Sequence, residues 1–352
     1  MTKEIFDGYK YIEGGVCAAK GFVANGLNCG INPVKEKFDL GVVYSEKECN
    51  AAGVYTQNKV KGAPIIVTKK HLEKSGGKAK AVIVNSKNAN TCNADGEEIA
   101  EKVSELLADA IGIKPEEVIV ASTGVIGQRL SVKPFEDYMQ QLVDGMTADG
   151  HTAAADAIMT TDTVRKEVAV EFEIDGKVCH LGGMAKGSGM IHPNMCTMLG
   201  FITTDANISK ALLQEALSED IKDTYNMVSV DGDTSTNDTV LLLANGQAGN
   251  PVIDTKNEDY KAFCEALHAV NACLCRKIAG DGEGASALFE VKIIGAETKE
   301  QAVTLSKSVV TSSLVKTAIC GHDANWGRIL CAMGYSGAQF DPEKVDLYFE
   351  SK

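Results

Sequence analysis

The stretch KGSGMIHPNMCTMLGFITTDA, residues 186–206, breaks at Cys196–Thr197 from a turn-forming half into an apolar, β-branched half. A threonine hydroxyl is a weak nucleophile at its free pKa and needs an adjacent base. An internal threonine has none of its own. Were the peptide bond before Thr197 broken, the freed α-amine, with a reference pKa of about 7.7–8.0, would stand covalently beside the hydroxyl. Cleavage would create the base. Gly187 and Gly189 open backbone conformations closed to other residues, Pro193 stiffens the approach, and the Cβ methyl of Thr197 narrows its rotamers. Cys196 is a rival nucleophile in the same loop. On residue types alone the stretch is equally a Gly-rich loop running into a strand, where threonine is common.

Alternating strand and helix patterns surround this segment. AKAVIVNS (79–86), EEVIVAS (116–122), EVAVEFEID (167–175), GFITTDA (200–206) and DTVLLLANG (238–246) predict strands. Ile99, Val103, Leu106, Leu107 and Ile111 fall at helical spacing within 97–111, and a second helical pattern runs from Tyr260 to Ala279. After GDGEGAS (280–286), LFEVKII (288–294) predicts a further strand. The rhythm is α/β, in a layered α+β sandwich, with neither a low-complexity linker nor a repeat.

Composition narrows the function. The 352 residues are 44% hydrophobic, enough for a large core, and 35 Lys and Arg against 48 Asp and Glu give a net charge of −13. That charge disfavours nucleic acid and anionic membrane surfaces as partners. MTKEIFDGYKYIEGG lacks the apolar core of a signal peptide and no run approaches a membrane span, so a cytoplasmic protein is expected. Eleven scattered cysteines read as reduced thiols. Cys273 and Cys275 have no second pair at zinc-site spacing, and no metal is expected. His192 is read as a packing or solvent-facing residue. The glycines at 182–189 lack the GxGxxG spacing of a dinucleotide site.

The 186–206 segment resembles the self-cleaving threonine site of the ornithine acetyltransferase, or glutamate N-acetyltransferase, family. The resemblance extends through GGVCAAKGF (14–22), NKVKGAP (58–64), VNSKNAN (84–90), ASTGVIGQ (121–128), MTTDT (159–163), VDGDTSTND (230–238), DGEGA (281–285) and SSLVKTAICGHDANWGRIL (312–330). It implies cleavage between Cys196 and Thr197, a nucleophilic Thr197 that accepts the acetyl group, and an oxyanion hole at Thr123 and Gly124. Thr163, Lys186, Thr197 and Glu283 would contact substrate, Lys186 facing a carboxylate and Glu283 the ornithine amine. The implied reaction moves acetyl from N-acetylornithine to glutamate in arginine biosynthesis, by ping-pong kinetics and without a cofactor. Some members also accept acetyl-CoA, which the resemblance carries as a second donor. It further implies an α chain (1–196) and a β chain (197–352) sharing one core, a smaller C-terminal α/β region over 281–352, and an α2β2 heterotetramer.

Three departures qualify the match. The family usually continues for some tens of residues beyond Lys352, supplying an asparagine and a hydroxyl residue to the pocket, so this chain is expected to cut itself yet transfer acetyl poorly and leak acetate. Lys87 stands where the family commonly has glycine, at a cost of about 1 kcal/mol if the turn needs positive φ. Ala287 replaces a commonly basic residue. Two alternatives remain: a self-processing amidase or aminopeptidase, in which water intercepts the acyl-threonine, and a non-catalytic binder of acetylated amino acids.

Overall fold

The computed structural model describes residues 8–192 and 198–350. Pro193, Cys196 and Thr197 lie outside the described residues. In chain order the elements are β1 (Lys10–Tyr11), β2 (Phe22–Leu27), β3 (Leu40–Tyr55), α1 (Ala63–Lys74), β4 (Lys78–Asn85), α2 (Gly96–Ile111), β5 (Val118–Ser122), α3 (Lys133–Asp144), α4 (His151–Ala157), β6 (Lys166–Ile174), β7 (Lys177–Lys186), β8 (Leu199–Thr204), α5 (Lys210–Asp223), β9 (Thr239–Ala244), α6 (Glu258–Gly280), α7 (Lys299–Thr311), α8 (Ser313–Cys320) and α9 (Trp326–Gly334).

The strands form one continuous ladder, β1-β6-β7-β8-β9-β3-β4-β5, with β2 also on β3. β3 is the fold line. Its residues 50–55 pair with β9, its residues 40–45 pair with β2 and β4, and the register to β4 shifts between Tyr44 and Cys49. A bulge there bends and twists the strand, so the ladder doubles back as two facing sheets.

Side-chain alternation confirms the layers. In β9, Leu241 and Leu243 join Val82, Val84, Ile119, Ala121 and Phe201 in the core between the sheets. Val240 and Leu242 face the other way, onto Leu213, Leu217, Phe263 and Leu267 of α5 and α6. On the second sheet, Ile83 and Val120 turn outward to Val103, Leu107 and Phe135 of α2 and α3. The architecture is helix, sheet, sheet, helix, as the α/β pattern predicts. Strands buried on both faces read as unbroken apolar runs, which is why VIVAS and TVLLLA were recognisable.

The helices follow from local signals. α2 buries Ile99, Val103 and Leu107 on one side and carries Glu97 and Glu98 in its first turn, where they complement the helix dipole. α6 begins at Asn257, whose side chain accepts the Tyr260 N–H, and buries Cys273 and Cys275 among apolar neighbours.

Beyond α6 the chain builds a small separate cluster, in which Leu305, Val309, Val315, Ala332 and Met333 of α7–α9 pack with Phe289, Val291 and Ile293. LFEVKII does not form the expected strand. Its alternate residues reach that cluster, but 287–294 pairs with no strand among the described residues, and without ladder hydrogen bonds extended backbone is not sheet. Lys87 adopts φ +74°, so the condition attached to its cost is met.

Candidate active site

The fold brings together residues that are far apart in sequence. β7 turns Met184 into the core between the sheets, and Lys186, two residues on, shares that face by the strand period. There its buried Nζ lies 3.3 Å from Thr123 Oγ1, just past the end of β5 on the opposite sheet. Two strands at distant positions of the ladder thus meet only because the ladder is folded.

Thr123 and Gly124 sit on a stitched platform. Thr123 N–H donates to the Asn85 carbonyl at 3.0 Å. Ser122 Oγ donates to Asn85 Oδ1 at 2.6 Å. The Asn237 amide donates to both the Ala89 and Ser122 carbonyls, at 2.6 and 2.9 Å, tying the SKNAN loop to the STG turn. Gly124 has φ +135°, and a Cβ there would lie 2.1 Å from the Lys87 carbonyl carbon. Only glycine fits.

These contacts decide which donors are available. The backbone N–H of Thr123 is spent on Asn85, whereas its hydroxyl accepts from Lys186 and keeps its own proton to give. Gly124 N–H makes no hydrogen bond among the described residues and the residue is exposed. Adjacent positions therefore hold two groups with a proton to give, the hydroxyl of buried Thr123 and the amide of exposed Gly124.

Behind Lys186 lies a buried ionic cluster that sequence reasoning did not assemble. Lys166 Nζ donates to Asp162 Oδ1 at 2.7 Å and to Asp281 Oδ2 at 2.6 Å, and its side chain is wholly buried. Asp162 Oδ1 also accepts the Gly187 N–H at 2.7 Å. Burial alone would raise the Asp162 carboxyl, but Lys186, Lys166 and the Gly187 N–H outweigh it and hold the group below the usual carboxylate range. Asp281 behaves likewise, with burial overcome by Lys166 and Thr163. Lys186 is pulled below the ordinary lysine range by burial and by Lys166, opposed by Asp162 and Asp238. Asp238 is pushed well above the usual carboxyl range by burial, offset in part by Ser235 and Lys186. Its Oδ2 has no partner among the described residues. Asp162 and Asp238 stand in the quoted MTTDT and VDGDTSTND motifs. That shared placement was the available signal, although nothing in the spacing reveals the Lys166 and Asp281 partners.

The remaining predicted residues gather at the rim. Thr163 donates from both its N–H (3.0 Å) and its hydroxyl to the Asp281 carboxylate. Glu283 is exposed, its N–H donates to the Ser188 carbonyl at 3.0 Å, and its carboxylate lies over Gly189, where a Cβ would come within 2.2 Å of Oε2. Glu283 also lines a 510 Å³ cavity with Ser229, Arg276 and Lys316. His192 is half-buried with Nδ1 3.1 Å from Ser229 Oγ. Burial, Lys307 and Lys316 lower its pKa, opposed by Asp231 and Asp233. At the start of the next described segment, Thr239 N–H donates to the Met198 carbonyl at 2.9 Å.

A buried ammonium, a threonine hydroxyl and an ionic cluster thus meet where the two sheets face each other, an arrangement with the donors that acyl transfer requires. Comparison with known proteins carries the assignment further. The ArgJ family model matches residues 23–352, and the chain belongs to that family. It is 52% identical over 331 residues to the arginine biosynthesis bifunctional protein ArgJ 1 of Clostridium acetobutylicum, covering 94% of this chain and 80% of that protein. The ArgJ protein of Caldanaerobacter subterraneus subsp. tengcongensis is 47% identical, with 97% and 84% covered. Among solved structures, the arginine biosynthesis bifunctional protein of Bacillus halodurans aligns with a TM-score of 0.51 and 40% identity over 53% of this chain and 98% of that one. The chain is an acyltransferase of arginine biosynthesis. No helix of the described residues is long and apolar enough to cross a membrane.

Proposed function

We propose that this protein cuts itself between Cys196 and Thr197 and then carries acetyl from N-acetylornithine to glutamate on the Thr197 hydroxyl. In the cut, Thr197 Oγ adds to the Cys196 carbonyl, the C–N bond breaks as the nitrogen takes the hydroxyl proton, and water hydrolyses the resulting ester. The products are the Cys196 carboxylate and a Thr197 with free amine and free hydroxyl. In turnover the amine accepts the hydroxyl proton while Oγ attacks the acetyl carbon of N-acetylornithine. The proton passes to the departing amine, ornithine leaves, and the glutamate amine takes the acetyl group from the ester, restoring the hydroxyl.

The observation that supports this reading is the placement of the Thr123 hydroxyl against Lys186 with the Gly124 N–H beside it, two groups with protons to give. Acyl transfer twice passes through a tetrahedral oxyanion, and one aimed donor is worth about 2.7–4 kcal/mol at that point. Lys186 suits the α-carboxylate of either acetylated amino acid, with Asp162 and Asp238 opposing the lowering of its pKa by burial. Glu283 at the rim suits the side-chain amine of ornithine and Thr163 lines the approach to it. Acetyl-CoA serves as a second acetyl donor to the same threonine. The two chains remain one folded core, assemble as α2β2 and work in the cytoplasm, without a cofactor.

The test pairs two assays on purified protein. Intact mass should give two chains meeting at 196/197 in the wild type and one chain in Thr197→Ala. The cut protein should release ornithine from N-acetylornithine and form N-acetylglutamate in a manner that depends on glutamate. A wild type that stays whole, or acetate release that ignores glutamate, would overturn the proposal.

A further inference from the structure

The segment leading into the scissile region is fastened from one side by residues 229–234. Asp231 uses both carboxylate oxygens on successive backbone N–H groups, Met190 at 2.6 Å and Ile191 at 2.9 Å. Val230 N–H donates to the Ile191 carbonyl at 2.6 Å, and the Thr234 hydroxyl donates to the His192 carbonyl at 2.9 Å. Lys316 of α8 in turn holds the carbonyls of Ser229 and Val230. The far end is fixed independently by the bond from Thr239 to Met198.

The clamp also sits on a strained point. Met190 has φ +59°, a left-handed conformation that disfavours any residue with a Cβ. Its side chain is 43% exposed, so packing does not explain why the backbone is held there. The two N–H groups that converge on Asp231 belong to Met190 itself and its neighbour, so the carboxylate is what compensates the turn. With the Asp233 N–H on Oδ1 at 3.0 Å the carboxylate accepts three backbone N–H bonds in all, among the stronger local restraints available.

We propose that Asp231 is a positioning residue for self-cleavage, clamping the left-handed turn at Met190 so that the chain enters the Cys196–Thr197 bond from one fixed direction. This rests on the self-cleavage reading above. Asp231 touches neither Lys186 nor the Thr123 hydroxyl and has no part in acetyl transfer once the chain is cut. Cleavage needs the hydroxyl and carbonyl aligned, and a displacement of about 1 Å costs about 100-fold in such reactions. Losing the clamp slows cutting while leaving the finished site intact. Glycine at 190 takes positive φ without penalty, so it should make the turn less dependent on Asp231.

The experiment follows self-cleavage of the full chain by intact mass over time in wild type, Asp231→Asn, Asp231→Ala, Met190→Gly and the Asp231→Ala/Met190→Gly double variant, alongside thermal midpoints. Asp231→Ala should cut about tenfold or more slowly and Asp231→Asn, which keeps one acceptor, at an intermediate rate. Met190→Gly alone should cut near the wild-type rate and should recover about fivefold or more of the loss in the double variant. Acetyl transfer per cut chain should be equal in all five. A wild type that never cuts overturns the self-cleavage reading and this proposal with it. A cutting wild type with Asp231→Ala at the same rate, or no recovery in the double variant, overturns the clamp alone.

Discussion

Thr123→Val separates two ways in which Thr123 could serve as an oxyanion donor. Its N–H is consumed by Asn85 at 3.0 Å, a bond that valine keeps. Its hydroxyl, which accepts from Lys186 at 3.3 Å, is removed at nearly constant volume. If the hydroxyl is the donor, the variant loses about 2.7–4 kcal/mol of transition-state stabilisation, or about 100- to 1000-fold in kcat. Loss of the acceptor for Lys186 adds a stability cost of about 1–3 kcal/mol, because a buried ammonium is left with one partner fewer. Thr123→Ser retains the hydroxyl and should stay within about tenfold of wild type, the deficit reflecting its freer rotamer. The assay is steady-state transfer from N-acetylornithine to glutamate by fully cut enzyme, with cut fraction and thermal midpoint recorded for each variant. The KM for N-acetylornithine should change little, since the contact strengthens only as the oxyanion forms. Folded, fully cut Thr123→Val with kcat within about threefold of wild type would refute the assignment of the hydroxyl.

Gly124→Ala forces a Cβ against the Lys87 carbonyl carbon at 2.1 Å and should lower kcat about 100-fold or more by displacing the second donor, measured on cut protein of confirmed fold. Lys166→Met leaves two buried carboxylates without their shared ammonium and should cost about 3–5 kcal/mol in denaturant unfolding. His268 is hydrogen-bonded through Nδ1 to Asp220 at 2.7 Å, which raises its pKa against an opposing effect of burial. A raised histidine pKa contributes stability that is full below its unfolded value of about 6.5 and is lost as pH rises through the folded value. The gap in thermal midpoint between wild type and His268→Gln should therefore narrow from about pH 6 to pH 9, and a constant gap would contradict this.

The sequence disclosed the layers better than the site. β5, β8 and β9 were legible because strands covered on both faces carry continuous apolar runs, and α2 and α6 because their apolar residues recur at helical spacing. β3 was not legible. Its middle, Ser45-Glu46-Lys47-Glu48, is polar like a loop, yet it is the bend that folds the ladder and brings β7 to β5. LFEVKII had strand spacing without a partner, since alternation reports a buried face and pairing depends on what lies alongside. At the site, the family motifs nominated Lys186, Thr123, Gly124, Thr163 and Glu283, and the fold groups Lys186 with Thr123 on the inner face and Thr163 with Glu283 at the rim. The motifs did not reveal that Lys166 joins Asp162 to Asp281 across more than a hundred residues, or that Thr123 spends its N–H on Asn85. Both facts depend on which backbone atoms come close in three dimensions.

The most direct test of the account is to trap the acyl-enzyme. Cut protein mixed with N-acetylornithine in the absence of glutamate should carry an acetyl group on the chain that begins at residue 197, mapped by fragmentation to Thr197, and a glutamate chase should remove it with formation of N-acetylglutamate. Acetyl found on another residue, or product formed at the full rate while Thr197 never carries the label, would contradict it.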